Sequence, residues 1–127
     1  MKYEYDSRVR YSEIDHRGTM TLPALINYFQ DGSTFQSEEL GLGMDRLKKE
    51  KKAWVLSYWQ IIIDRYPKMG EPITVGTFAT EFRGLFGNRN FYMKDKDGGM
   101  IACANSIWAF MDLEKGRPCR PTPEHIE

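Results

Sequence analysis

Asp15, His16 and Thr19 stand within five residues of one another just ahead of a segment with helical spacing, and Gln30 falls about two turns into that segment. A carboxylate so placed can serve as nucleophile or base, and an imidazole as acid or base. Backbone N–H groups of residues 18–21, at the positive end of the helix, are candidate donors to an oxyanion. Gln30 can position a water through its amide or hydrogen-bond a neighbouring sheet. Each has a plainer role open to it: Asp15 and Thr19 as short polar residues of a turn, His16 as a surface residue beside Arg17.

Cys103 and Cys119 lack CxxC spacing, and His16 and His125 lie near opposite ends of the chain. No structural zinc site is expected, and no other metal or cofactor. Cys103 reads as a filler in an apolar strand and Cys119, between two prolines, as a surface thiol.

The elements that must position these groups follow from periodicity. Residues 2 to 12 alternate Tyr3, Tyr5, Ser7, Val9 and Tyr11 against charged neighbours, which predicts a strand with one wet face. Thr21 is a good N-cap with Pro23 in the first turn, and Leu22, Leu25, Ile26, Phe29, Ser33 and Gln36 continue at helical spacing until Gly41 and Gly43. Met44 to Lys52 predicts a short charged helix. Strands are predicted over Ala53–Tyr66, Ile73–Phe82, Arg89–Lys94 and Met100–Leu113, with turns at Gly84–Asn88 and Asp95–Gly99. Residues 116–127 carry three prolines and read as a tail or the start of a linker. One early long helix followed by antiparallel strands specifies an α+β domain with the helix on one sheet face.

At 127 residues the chain suits one domain, 1–127, which buries roughly two-thirds of the surface its unfolded chain exposes. Lys and Arg total 18, as do Asp and Glu, so no overall field draws it to nucleic acid or anionic lipid. The first residues contain no apolar signal region, and no run approaches the ~20 apolar residues of a membrane span. The expectation is a soluble, cytoplasmic protein.

The segments YSEIDHRGTMTLPALINYFQD, WVLSYWQIIIDRYPKMGEPITVGTF and SIWAFMDLEKGRPCRPTPE resemble the N-terminal half of the acyl-acyl carrier protein thioesterases. The likeness covers most of the chain, and IIIDRYPKMGEPITV is its most specific part. It implies a hot-dog fold, a long central helix wrapped by a curled antiparallel sheet of about five strands. Similar enzymes have two tandem hot-dog domains and carry an Asn-x-His arrangement in the second, and no Asn-x-His occurs here. A weaker likeness, to single-domain hot-dog thioesterases, matches Asp15 and Gly18 but places Thr19 and Thr21 where those enzymes have His and Asn.

The resemblance implies an acyl-acyl carrier protein thioesterase of fatty acid biosynthesis, with this chain as its acyl-binding half. Asp15, His16 and Gln30 are then the candidate catalytic groups, Gln30 lying where related folds turn a polar side chain toward the thioester. Thr19, Trp54, Tyr58 and Trp108 are the candidate acyl-binding residues. Arg46, Lys48, Lys49, Lys51 and Lys52 form a candidate docking patch for an acidic carrier bearing fatty acyl-phosphopantetheine, or simply a solvated helix face. A second hot-dog domain, or a second copy of the chain, is expected against a free sheet edge. The rival functions are a non-catalytic acyl or carrier-binding module, a stand-alone acyl-CoA thioesterase, and an acyl dehydratase, the last disfavoured by the shortage of suitably placed His.

Overall fold

A computed structural model describes the backbone of residues 2–83 and 85–121, and the side chains of all of these except 81–83. Gly84 of the expected turn, the Phe82 side chain and residues 122–127, including His125, lie outside the described residues. In chain order the elements are β1 (Lys2–Arg8), a 3-10 turn (Tyr11–Glu13), α1 (Leu22–Glu39), α2 (Met44–Glu50), β2 (Lys52–Ile63), β3 (Pro72–Arg83), β4 (Phe86–Asp95), β5 (Met100–Asp112) and β6 (Arg117–Pro118).

β1 alternates as its sequence requires but stops four residues early. The Glu13 carboxylate accepts from the Arg10 backbone N–H at 2.8 Å and from its guanidinium at 2.8 Å, closing a tight turn that competes with the strand. Tyr11, expected in phase with the inner face, is therefore 82% exposed. α1 begins as predicted, with Thr21 Oγ1 accepting from the Ala24 N–H at 3.3 Å and Pro23 in the first turn. It ends where Gly41 takes a φ of +74°, a conformation that glycine adopts without cost.

The sheet is antiparallel throughout, in the order β1-β3-β4-β5-β2, with β6 paired to the end of β5. The stretch read as a tail is thus tied down as far as Cys119, whose N–H donates to Phe110 O at 2.8 Å. The Asp-Arg-Tyr-Pro segment is a junction. Arg65 bonds both Glu71 oxygens at 2.9 and 2.5 Å and lies 3.5 Å from Asp95, while the buried Pro67 accepts from Met20 N–H at 2.8 Å. It thereby fixes the loop before α1 to the β2–β3 connection.

Strand register sets side chains in rows across the inner face. One row is Tyr5, Val75, Met93, Ala102 and Ile63, and the next is Thr77, Phe91, Ala104 and Ile61. α1 lays Leu25, Tyr28, Phe29 and Gly32 on these rows. Phe29 stacks on Phe91 at 5.3 Å and on Trp59 at 6.4 Å between ring centroids. Gly32 allows close approach, since a Cβ there would stand 3.3 Å from the Tyr5 ring.

The helix lies nearest β3 and β1, and on that flank Phe35 meets Tyr5 edge-on at 5.3 Å. At 100° per residue, Ile26, Gln30, Ser33 and Ser37 occupy the other flank, which overlooks β4, β5 and β2. One long helix in the hollow of a curled antiparallel sheet is the α+β hot-dog fold. Its β2 edge pairs with no other strand on the outer side among the described residues, and exposes Val55, Tyr58 and Ile62.

Candidate functional site

The loop ahead of α1 spends its polar groups on itself and on the β2–β3 connection. Asp15 Oδ1 accepts from Arg17 N–H at 2.9 Å, and Asp15 Oδ2 accepts from Arg17 Nε at 3.2 Å and Nη2 at 2.8 Å. These bonds from Arg17 hold the Asp15 carboxyl below its ordinary range, so it is a weak base. The N–H groups of Gly18, Met20 and Thr21 donate to Asp15 O, Pro67 O and Glu13 O at 2.9, 2.8 and 2.9 Å. The proposed oxyanion donors at these three positions are therefore already occupied. Thr19 forms a backbone bridge with Lys68, and His16 is exposed. Gln30 is partly buried on the open flank of α1, about 13 Å along the axis from the N-cap. No hydrogen bond or ion pair joins it to Asp15 or His16 among the described residues, so the three candidate catalytic groups do not converge within this chain.

Behind the loop, Tyr28 gathers a partly buried network that the sequence does not announce. Its hydroxyl donates to Glu13 Oε1 at 2.7 Å or Arg8 O at 3.0 Å, and accepts from Ser7 Oγ at 3.3 Å. Burial by itself would raise Glu13, but the bonds from Tyr28 and Arg10 outweigh it and leave the carboxyl below its ordinary value.

Beyond the apolar rows the inner face changes character. The third row is Ala79, Arg89, Ser106 and Trp59, and the fourth is Gly87, Trp108 and Leu56. Trp54 and Phe110 then pair at 4.7 Å between centroids. Arg89 Nη1 donates to Gln36 Oε1 at 2.7 Å and to Thr77 Oγ1 at 3.1 Å, and desolvation lowers its pKa from the ordinary guanidinium value. Trp108 Nε1 donates to Ser106 Oγ at 2.8 Å, and that hydroxyl donates to Arg89 O at 2.9 Å.

Of the aromatics picked for an acyl slot, Trp54 and Trp108 share this inner face. Tyr58 does not: a bulge between Leu56 and Tyr58 shifts the alternation, sends Tyr58 to the outer face at 50% exposure and brings Trp59 inside. Arg89 is an inner-face group that the site selection from sequence passed over. Arg89 had a readable signal, a charge in phase with Phe91 and Met93.

The basic run divides in two. Arg46 bonds Glu50 at 3.0 Å, Lys51 bonds Glu114 at 3.0 Å and Lys52 lies 3.1 Å from Asp112. Lys48 and Lys49 stand exposed in the last turn of α2. No group of three or more His, Cys, Asp or Glu side chains able to hold a metal occurs among the described residues. No helix among them is long and apolar enough to cross a membrane.

A hot-dog domain whose inner face runs from apolar rows under the helix to tryptophans beyond it is the class that this geometry defines. The family model described as the acyl-ACP thioesterase N-terminal domain matches residues 1–127, and the chain belongs to that family. A chloroplastic acyl-[acyl-carrier-protein] hydrolase of Cuphea viscosissima is 30% identical over 125 residues, covering 93% of this chain and 30% of that protein. Among solved structures, a putative oleoyl thioesterase from Lactobacillus plantarum superposes with a TM-score of 0.96 at 30% identity, over 99% of this chain and 49% of that one. An acyl-ACP thioesterase from Bacteroides thetaiotaomicron gives a TM-score of 0.87 at 30% identity, over 94% and 49%. The chain spans about a third of the curated relative's length and about half of each of these two structures.

Proposed function

We propose that this chain is the acyl-binding half of an acyl-acyl carrier protein thioesterase. In the reaction, water oxygen bonds to the acyl carbon, the carbon–sulfur bond breaks, and the carrier's phosphopantetheine thiol leaves with a proton, releasing a free fatty acid. The observation that carries the reading is the inner face itself. α1 covers its β1–β3 side, while Trp59, Trp108 and the Trp54–Phe110 pair floor the β5–β2 side beneath the open flank of the helix. Apolar walls of this kind suit an alkyl chain, each buried methylene contributing ~0.8 kcal/mol.

A second hot-dog domain, or a second copy of the chain, would seat along β2, where a twelve-residue strand has a free outer side among the described residues. Gln30 lies on the flank of α1 nearest that edge, and is the candidate group best placed to meet a thioester there. Asp15 and His16 are assigned to the loop's structure. Lys48 and Lys49, with the weaker help of the ion-paired Arg46, Lys51 and Lys52, form the surface offered to an acidic carrier. The charged, moderately hydrophilic composition suits a cytoplasmic setting, although the Cuphea relative is chloroplastic.

A second reading, an acyl or carrier-binding module with its chemistry elsewhere, is favoured by the occupied N–H donors and the ion-paired Asp15. Turnover separates the two. The natural full-length protein should hydrolyse acyl-acyl carrier protein with a higher kcat/KM than the matching acyl-CoA. Binding without hydrolysis would select the module, and a preference for CoA would remove the carrier from the account.

A further inference from the structure

Arg89 projects from β4 in phase with Phe91 and Met93, onto a face that is otherwise apolar or aromatic. Both of its hydrogen bonds leave from Nη1, and both go to neutral acceptors, Gln36 and Thr77. A guanidinium carries five N–H donors, so the three on Nη2 and Nε have no protein acceptor among the described residues. No fully buried side-chain polar atom lacks a partner among those residues, so these donors must reach accessible space. A desolvated cation without a carboxylate is costly unless an acceptor enters that space.

The surroundings limit what can enter. Trp59 lies two strands away in the same row, and Trp108 lies in the next row opposite Gly87. Trp108 Nε1 and Ser106 Oγ are already bonded to their neighbours, so of these three neighbouring groups the guanidinium edge is the one that still offers donors. We propose that the free edge of Arg89 recognises an oxygen acceptor carried by the acyl ligand. The acceptor has two possible sources, an oxo or hydroxyl substituent on the chain or the carboxylate of the released acid. This rests on the acyl-binding role proposed above and adds to it a preference that a purely apolar trough would lack.

The test uses the natural full-length protein and acyl-carrier substrates of equal length, one saturated and one bearing a 3-oxo or 3-hydroxyl group. Inhibition by the free saturated fatty acid is measured in parallel. With Arg89→Met, kcat/KM for the oxygenated substrate should fall about tenfold or more relative to the saturated one, through KM rather than kcat. Arg89→Lys should restore part of the loss. Gln36→Glu, which keeps the cation but offers it an internal carboxylate, should weaken the preference as well, and it serves if Arg89→Met does not fold. If the carboxylate is the acceptor, the substrate ratio will stay fixed while the inhibition constant rises about tenfold in Arg89→Met and Gln36→Glu. Neither quantity moving in a folded variant overturns the proposal. Failure of the unsubstituted protein to hydrolyse saturated substrate would instead overturn the thioesterase reading.

Discussion

The loop from Asp15 to Thr21 and the row from Ala79 to Trp59 both present charged and polar groups near the central helix, but they use them differently. In the loop, Asp15 takes three donors from Arg17, and the N–H groups of Gly18, Met20 and Thr21 are all bonded internally. In the row, a guanidinium sits among aromatic rings with its bonds confined to Nη1. Short polar residues before a helix are common because they close turns, and closing the turn consumes their bonding capacity. A charge kept in phase with an apolar strand has no such structural explanation. It is the better pointer to a ligand.

That contrast assumes that stability resides in the apolar rows and not in the polar one, and substitutions can break it. The largest effect should come from Phe29→Ala, which removes a fully buried ring stacked on Phe91 and Trp59 and should cost ~3–5 kcal/mol by denaturant unfolding. Tyr28→Phe removes the hydroxyl shared by Glu13, Ser7 and Arg8 O and should cost ~1–2 kcal/mol. Arg89→Met should change stability by less than about 1 kcal/mol, because replacing a desolvated charge with an apolar side chain is often neutral. A large loss at Arg89 would make it a structural residue and erase the contrast.

Proton linkage sharpens the same comparison. Glu13 has a folded pKa below its unfolded value, so its contribution is complete above the usual carboxylate range near ~4.3 and is lost as pH falls through the folded pKa. Tyr28→Phe takes away one of the bonds that depress it, and an acid titration of stability should become flatter below about pH 4.5. The smallest effects are expected at the surface. Asp15→Asn should leave the unfolding midpoint and the turnover number unchanged within error, whereas a collapse of turnover would restore Asp15 as a catalytic group. Lys48→Glu with Lys49→Glu should raise KM for the acyl-carrier substrate several-fold without altering stability.

Much of the fold was legible because burial follows period. The alternation of β1, the Thr21 cap, the Gly41 stop and the Asp95–Gly99 turn appear where local chemistry demands them. The site was less legible. The bulge between Leu56 and Tyr58 exchanges the faces of Tyr58 and Trp59, and nothing in an aromatic run marks the extra residue. The Arg89–Gln36 bond joins residues 53 apart in the chain, so only the fold reveals that the two meet. The occupancy of one candidate oxyanion donor was hidden for a related reason, since the bond from Met20 to Pro67 depends on a distant turn.

The central claim is that the inner face beyond the core rows holds the acyl chain, and product length tests it most directly. In the natural full-length protein, Trp54→Ala and Trp108→Ala each vacate space on that face, and the free fatty acids released from a graded set of acyl-carrier substrates can be measured by chromatography. Once folding is confirmed by circular dichroism, both variants should shift the distribution toward longer chains, while Tyr58→Ala on the outer face should not. An unchanged distribution in the two tryptophan variants would mean that this domain does not measure the chain, and the acyl-binding role assigned to it would fall.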